Sequence, residues 1–368
     1  MTRVAIASVR GGVDAAFAEA VELAGCGPLL TPGARVVIKP NWNACGVPGS
    51  TSLAVVEAAC RWARDQGAGE VVVGEGPVPV GRQRVAAFLE EMGALPRLEA
   101  VGARFANFDE GEHVLFRGER DLPEEIGIAR AALEADLLIN IPILKVHSCC
   151  LASLCVKNLK GCLRPQDKMA FHRVGLLPAI VGLNRIVRPH VNVIDAVDGM
   201  EGGHNRGEIV HLGLLIAGRD PVATDAVGCA QMGIPPADVP LLRLAAHAGL
   251  GEHRLDRLEI LGEPLRPRRF ELVHERMRRL YPDLEIHDEG ACSACNAALM
   301  DGLYIAGGGR RVACVAMGKL ARPPAGALVL GKCLRDYWPS HPHVPGCPPS
   351  GHAVARALCA EGDDDERR

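Results

Sequence analysis

Short, nearly unbroken apolar runs recur along the first two-thirds of the chain. They occupy residues 3–9 (RVAIASV), 35–40 (RVVIKP), 70–76 (EVVVGEG), 136–142 (DLLINIP), 191–199 (VNVIDAVDG) and 211–218 (HLGLLIAG). A run that is apolar at successive positions, and not only at every second one, suits a strand covered on both faces. Between the runs lie stretches of helical period at Val13–Ala24, Leu53–Gln66, Arg84–Met92, Leu177–Val187 and Asp220–Met232. Strand and helix in alternation predict right-handed crossovers and an α/β fold, a mainly parallel sheet with helices on both faces.

Around residues 264–283 the pattern breaks into an Arg- and Pro-rich stretch, EPLRPRRFELVHERMRRLYP, which predicts a linker followed by a helix. A boundary there divides the chain into a larger α/β domain, 1–265, and a small cysteine-rich α/β domain, 266–368. The second domain is expected to run helix (Ala291–Leu303), strand (Arg311–Met317), strand (Ala327–Leu330), cysteine-rich loop and helix (Gly351–Ala360), before a solvated tail, EGDDDERR.

Composition narrows the function. Of 368 residues, 48% are hydrophobic and 23% charged, which excludes global disorder. The net charge of −3 lacks the basic excess of a non-specific nucleic-acid coat, so no nucleic-acid partner is expected. No apolar stretch reaches the roughly 18 residues that span a bilayer, and the start of the chain has no long apolar region before a small-residue cleavage site. Neither a membrane nor an export signal is therefore expected. Fourteen cysteines in such a chain point to a reducing, cytoplasmic setting, where thiols bind metals or stay free more often than they pair. Cys26, Cys45, Cys60 and Cys229 are scattered and read as small buried hydrophobes. There is no G-x4-G-K-[ST] loop, no G-x-G-x2-G after the first strand and no G-x-S-x-G elbow, so nucleotide binding and serine hydrolysis lack support.

Several strands are expected to end in polar or Gly-rich turns: Lys39-Pro40-Asn41, Gly74-Glu75-Gly76, Lys145-Val146-His147 and the stretch from Asp195 to Gly203. Ligands of open α/β sheets bind at the carboxyl ends of strands, which makes these turns the first place to look. Lys145, His147, Lys157, Asn158 and Lys160 fall within sixteen residues of one another. With Lys39 and Asn41 they would form an electropositive mouth for a carboxylate or phosphate, though a solvated basic helix fits the same residues. Cys149, Cys150, Cys155 and Cys162 share this stretch, with a spacing uncommon for metal ligands. Asp195, Asp198 and Glu201, with His204 and Glu208 nearby, would hold a divalent metal, move a proton or orient the lysines; a polar turn explains them equally. Asp220 reads as a helix N-cap. Asp225, inside that helix where Asp is a poor former, is expected to face the site.

Together the runs Lys39-Pro40-Asn41, Gly74-Glu75-Gly76, Lys145-x-His147, Lys157-Asn158-x-Lys160-Gly161, Asp198-Gly199-Met200-Glu201-Gly202 and Gly218-x-Asp220-Pro221-Val222-Ala223-Thr224-Asp225-Ala226 resemble the family called domain of unknown function 362, over roughly residues 35–235. The resemblance names no activity. It implies an association with iron–sulfur modules, which many members carry or neighbour, although the ferredoxin-type insert with repeated C-x2-C-x2-C is not present here.

The last fifth of the chain carries its own chemistry. Cys292 and Cys295 form a C-x2-C pair; Cys333 follows 38 residues later and Cys347 another 14 on. Four thiolates from one close pair and two loops would close around a [4Fe–4S] cube or a tetrahedral zinc, or stay metal-free. The turn VPGCPPSG around Cys347 is similar to cluster-binding turns of certain respiratory and hydrogenase small subunits. The helix after it is expected to aim N–H groups at the sulfurs. Zinc sites more often show two short knuckles, which favours the cube. Cys314 reads as strand core, and His341 and His343 as a Pro-stiffened loop.

The expectation is a cytoplasmic [4Fe–4S] protein, an oxidoreductase acting on a small anionic molecule or passing electrons to an electron-transfer protein, with a homo-oligomer as a further option. Two alternatives stand beside it. One is a non-redox lyase or hydratase on a small carboxylate, in which the lysines would hold the carboxylate, Asp195, Asp198 or Glu201 would move a proton, and the cluster would be structural or Lewis-acidic. In either enzymatic reading the catalytic candidates are Lys145, His147, Lys157, Asp195, Asp198 and Glu201, while Lys39, Asn41, Glu75, Asn158, Lys160 and Asp225 would bind the ligand. The other is a non-catalytic cluster carrier or scaffold.

Overall fold

The computed structural model describes residues 1–42, 49–76, 82–203, 207–334 and 338–360. Cys45, His204 and the charged tail lie outside the described residues. The chain forms two compact units. One comprises Met1–Val146 and Cys150–Glu271; the other takes His147–Cys149 together with the chain from Leu272 onward.

The first unit is built on a sheet whose main path runs, edge to edge, Leu258–Gly262, Thr2–Ser8, Glu208–Gly218, Val191–Glu201, Leu137–Ile141, Arg35–Pro40, Glu70–Glu75 and Arg104–Asn107. Most neighbours are parallel. Glu208–Gly218 is antiparallel to both strands beside it. Successive residues such as Val36, Val37 and Ile38 are fully buried, as covered strands require. Val36, Ile38, Val71, Val73 and Ile139 pack with helices Val13–Leu23 and Leu53–Asp65. Residues of the other parity meet helices on the opposite face. A Cβ on Gly228 of helix Pro221–Gln231 would lie 2.6 Å from Ile194 Cδ1, so glycine permits that close approach.

Two expected turns are strand. Pro142 has no N–H to give the ladder and divides the run into Leu137–Ile141 and Ile143–His147, so Lys145-Val146-His147 is extended. The stretch after Asp195 also stays extended to Glu201, with a bulge between Ala196 and Asp198. The carboxylates placed on a loop by sequence therefore lie along one long hairpin arm. The hairpin of His113–Arg117 and Glu125–Ala129 gave no pattern strong enough to expect.

The second unit has a four-stranded parallel sheet in the order Glu285–His287, Cys314–Met317, Leu328–Leu330, His343–Val344. Helices Ser293–Ala306 and Gly351–Cys359 pack together; a Cβ on Gly302 would lie 2.7 Å from Val354 Cβ. Ala316, Ala321, Ala327, Val329 and Leu334 form a small core, with Cys314 and Trp338 against it. Among the described residues, no helix is long and apolar enough to cross a membrane.

Candidate functional site

In the first unit several sequence-selected residues meet, but in the interior. Lys39 and Glu75 end neighbouring parallel strands, and both are buried. Lys39 Nζ donates to Glu75 Oε2 at 2.8 Å and to the Pro40 carbonyl at 2.7 Å. Glu75 also accepts from Trp42 N (3.0 Å) and Gly76 N (2.9 Å), so both its oxygens are engaged. A chain of amides continues from this pair. Asn158 Oδ1 accepts from Asn41 Nδ2 at 2.9 Å, and Asn158 Nδ2 donates to Asn140 Oδ1 at 2.8 Å. Asn140 Nδ2 donates to Asn192 Oδ1 at 3.0 Å, and Lys145 Nζ donates to Asn41 Oδ1 and the Gly49 carbonyl, each at 2.8 Å. Lys39 and Lys145 are 0% and 2% exposed, so neither is part of an open basic surface. Burying a charge is costly unless it is paired and hydrogen-bonded; Lys39 is paired with Glu75, and Lys145 is hydrogen-bonded to Asn41 and Gly49.

The glycines of the motifs make the convergence possible. A Cβ on Gly161 would overlap Glu75 Oε1 and lie 2.7 Å from Lys39 Nζ. One on Gly76 would lie 2.6 Å from Asp109 Oδ1 and 2.9 Å from Lys168 Nζ. Lys168 and Asp109 were not singled out from sequence. They form a second pair at 2.5 Å, Lys168 buried and Asp109 partly so, with Lys168 also donating to the Gly76 carbonyl at 2.7 Å. Burial lowers the Lys168 pKa, against the opposing pull of Asp109. Its signal was a lysine inside a helix, Pro165–Val174, that sequence pattern did not bring out.

The remaining candidates divide. Asp225 does face inward: its carboxylate accepts from Cys155 N at 2.7 Å and Val156 N at 3.0 Å, holding the short helix Cys155–Asn158 that carries Lys157 and Asn158. Burial raises its pKa to about 7. Asp195 accepts from Ser52 N (2.7 Å) and Val197 N (3.1 Å), and burial raises it to about 6. The other two carboxylates are not gathered with it. Asp198 is exposed and bonded to His211, while Glu201 accepts from Glu271 N at 2.9 Å. Lys157 donates to Ser153 Oγ at 3.2 Å, and Lys160 Nζ lies 2.8 Å from His172 Nε2. Asp220 caps its helix as expected, accepting from Val222 N and Ala223 N.

In the second unit the cysteines follow the strand ends. Cys292 is the N-cap of helix Ser293–Ala306 and Cys295 lies in its first turn, with Cys295 N donating to Cys292 O at 3.2 Å. Gly331 N donates to Val344 O and Lys332 N to Gly346 O, each at 3.0 Å, which ties the Cys333 loop to the Cys347 loop. A Cβ on Gly331 would lie 3.1 Å from Cys295 Sγ, so the helix sulfur reaches that loop pair across a glycine. The thiols sense each other. Cys295 is pushed up by Cys292 first, then by burial, Cys333 and Cys347; Cys333 is pushed up by burial, Cys347 and Cys292, with Lys319 opposing. His343 Nε2 lies 2.7 Å from the Gly331 carbonyl and His341 Nε2 3.0 Å from that of Pro324, both loop-stiffening contacts. The last helix is capped by its own Ser350, which accepts from Ala353 N at 3.2 Å, so that N–H is turned to the cap and not to a sulfur. Sequence reasoning left Cys149 open; its Sγ lies 3.3 Å from the Ala291 carbonyl and 3.8 Å from Asn296 Nδ2, at the start of the cysteine-bearing helix. His147 Nδ1 accepts from Cys149 N at 3.2 Å.

The family described as domain of unknown function (DUF362) matches residues 36–230, more than half of the chain. The thylakoid-associated protein sll1697 of Synechocystis sp. is 29% identical over 240 residues, covering 62% of this chain and 72% of that protein. Among solved structures, the lactate racemase apoprotein of Thermoanaerobacterium thermosaccharolyticum is similar with a TM-score of 0.44 and 11% identity, over 98% of this chain and 80% of that one. A Thermotoga maritima protein is similar with a TM-score of 0.42 and 16% identity, over 87% and 70%.

Proposed function

The chain belongs to the domain of unknown function 362 family, and from that premise we propose that it is a cytoplasmic iron–sulfur protein: Cys292, Cys295, Cys333 and Cys347 hold a [4Fe–4S] cluster, and the chain serves as an oxidoreductase toward a small anionic substrate or an electron-transfer partner. The observation that carries this reading is the approach of Cys295 Sγ to Gly331, at the loop pair bearing Cys333 and Cys347. The donor set fits the group. Four cysteines saturate a cube, and a helix N-terminus beside Cys292 and Cys295 favours thiolates. The hydrogen bond with Cys292 and burial push the Cys295 thiol up, and burial with the neighbouring cysteines pushes Cys333 up, which a bound cationic centre relieves. When bound, the cluster supplies one-electron chemistry. The chain's own part is to hold the sulfurs and, through Lys319, to place a positive charge near Cys333.

The first unit's contribution is a preorganised strand-end cradle in which Lys39, Lys145 and Asn41 have fixed positions; Lys157 and Lys160, half-buried, are the cations offered to an anion. The test is metal and sulfide analysis of full-length protein purified without oxygen, with an electron paramagnetic resonance spectrum after reduction. About four irons per chain are expected, lost in Cys295→Ser and in Cys333→Ser. A colourless protein that carries zinc and no iron would overturn the reading.

A further inference from the structure

The second unit holds another donor cluster, of different composition from the four cysteines. Glu285 and Cys314 are cross-strand partners in the parallel pair Glu285–His287 with Cys314–Met317. In parallel register, paired residues and those two further along project from the same face. Glu285, His287 and Cys314 thus share one face, and their carboxylate, imidazole and thiol atoms lie within 4.8 Å of one another. His287 Nε2 and Glu285 Oε1 are 2.8 Å apart. The surroundings are asymmetric. Cys314 leans on the core of Ala316, Ala327 and Val329, while Glu285 is exposed and His287 half-buried.

We propose that Glu285, His287 and Cys314 form a binding site for a divalent ion of the zinc class, with the fourth position open to water or an incoming donor. The donor chemistry selects this class. Imidazole with thiolate suits zinc and its neighbours, and a thiolate is unsuited to magnesium or calcium. Tetrahedral zinc with bonds of about 2.0–2.3 Å sets its donors roughly 3.3–3.7 Å apart. The three atoms therefore need adjustments of about an ångström, and two of the side chains have solvent in which to make them. Three protein ligands with one open position is the arrangement of reactive zinc sites, whereas structural sites are closed by four. The cation also resolves an electrostatic conflict, because burial and the Glu285 carboxylate both push the Cys314 thiol up. Binding displaces the thiol proton and takes the imidazole nitrogen in its neutral form, so affinity rises with pH.

The test uses full-length protein purified without oxygen, incubated with zinc sulfate, desalted and assayed for zinc and iron. Wild type should retain one zinc per chain more than His287→Ala or Cys314→Ser, with iron content the same in all three. Because the quantity read is a difference, it stands whether Cys292, Cys295, Cys333 and Cys347 hold iron or zinc. Glu285→Gln, at an exposed position that leaves the sheet intact, should weaken zinc binding by about tenfold or more. With cobalt(II) in place of zinc, wild type should show a sulfur-to-cobalt charge-transfer band that Cys314→Ser lacks. Equal zinc in wild type and both ligand variants, or Glu285→Gln binding as tightly as wild type, overturns the proposal.

Discussion

The Lys39–Glu75 pair gives the sharpest energetic test of the first unit. Glu75→Gln keeps the shape and removes the charge. In the native arrangement one carboxylate oxygen accepts from Lys39 Nζ and Trp42 N, and the other from Gly76 N. A glutamine has one oxygen. If it turns that oxygen to Lys39, its NH₂ faces the Gly76 N–H, and a buried donor is left unsatisfied at about 1–3 kcal/mol. The ammonium, 1% exposed, also loses its counter-charge. Removing one partner of a buried pair costs about 3–5 kcal/mol in total. At a urea slope of about 2–3 kcal/mol/M, the midpoint falls by about 1–2.5 M. Tryptophan fluorescence reads it directly. Of the three tryptophans, Trp42 and Trp62 are in the first unit and Trp338 in the second, so a Trp338→Phe background confines the signal. Lys39→Met with Glu75→Gln removes both charges and should recover part of the loss. A midpoint shift below about 0.3 M for Glu75→Gln, or a double variant less stable than the single, would refute the reasoning.

Two further outcomes follow from the buried aspartates. Asp225→Ala leaves Cys155 N and Val156 N without their acceptor, which should cost on the order of 2 kcal/mol and speed hydrogen exchange at both amides. Asp195 and Asp225 are held protonated to about pH 6 and 7, against 3.8 for the free side chain, so between pH 4 and 7 the native state keeps protons the unfolded chain has released. Stability of the first unit should therefore fall as pH rises through that window, seen as a declining urea midpoint, and Asp195→Asn should flatten its lower part.

Much of this was legible because sheet burial writes itself into sequence. Runs such as Val71–Val73 announce strands, and Asp220-Pro221 announces a helix start. The motif residues Lys39, Asn41, Glu75 and Asn158 are hydrogen-bonded to one another in the interior. What periodicity could not show was depth. Lysine reads as a surface residue, yet Lys39, Lys145 and Lys168 are buried because carbonyl, amide and carboxylate oxygens from distant segments enclose them. Pro142 hid one strand by interrupting its run. The strands Glu285–His287 and His343–Val344 are too short to leave a pattern, so the partnership of Glu285 with Cys314 could not be read before register was known.

Parallel order sets the cysteine-bearing segments at the ends of strands in one sheet, and the crossing between two of them depends on a single atom. Adjacent strands lie about 4.8 Å apart, so the ends of the first and third strands are separated by about 10 Å. Cys292 and Cys295 follow the first strand, and Gly331 and Cys333 the third. The chain must cross the end of the second strand to bridge that gap. It does so at residues 289–291, with Leu320 N donating to Glu289 O at 3.0 Å and Lys319 N to Gly290 O at 3.4 Å. Gly318 sits directly beneath, at a φ of +101°, and a Cβ there would overlap Ala291 N and lie 2.5 Å from Glu289 O. Gly318→Ala therefore adds backbone strain of about 1 kcal/mol and lifts the crossing segment off the sheet. The expected result is a chain whose first unit melts normally while its iron per chain falls, because Cys292 and Cys295 no longer reach the Cys333 and Cys347 loops. Full iron content in this variant would show that the crossing at Gly318 does not set the sulfur positions.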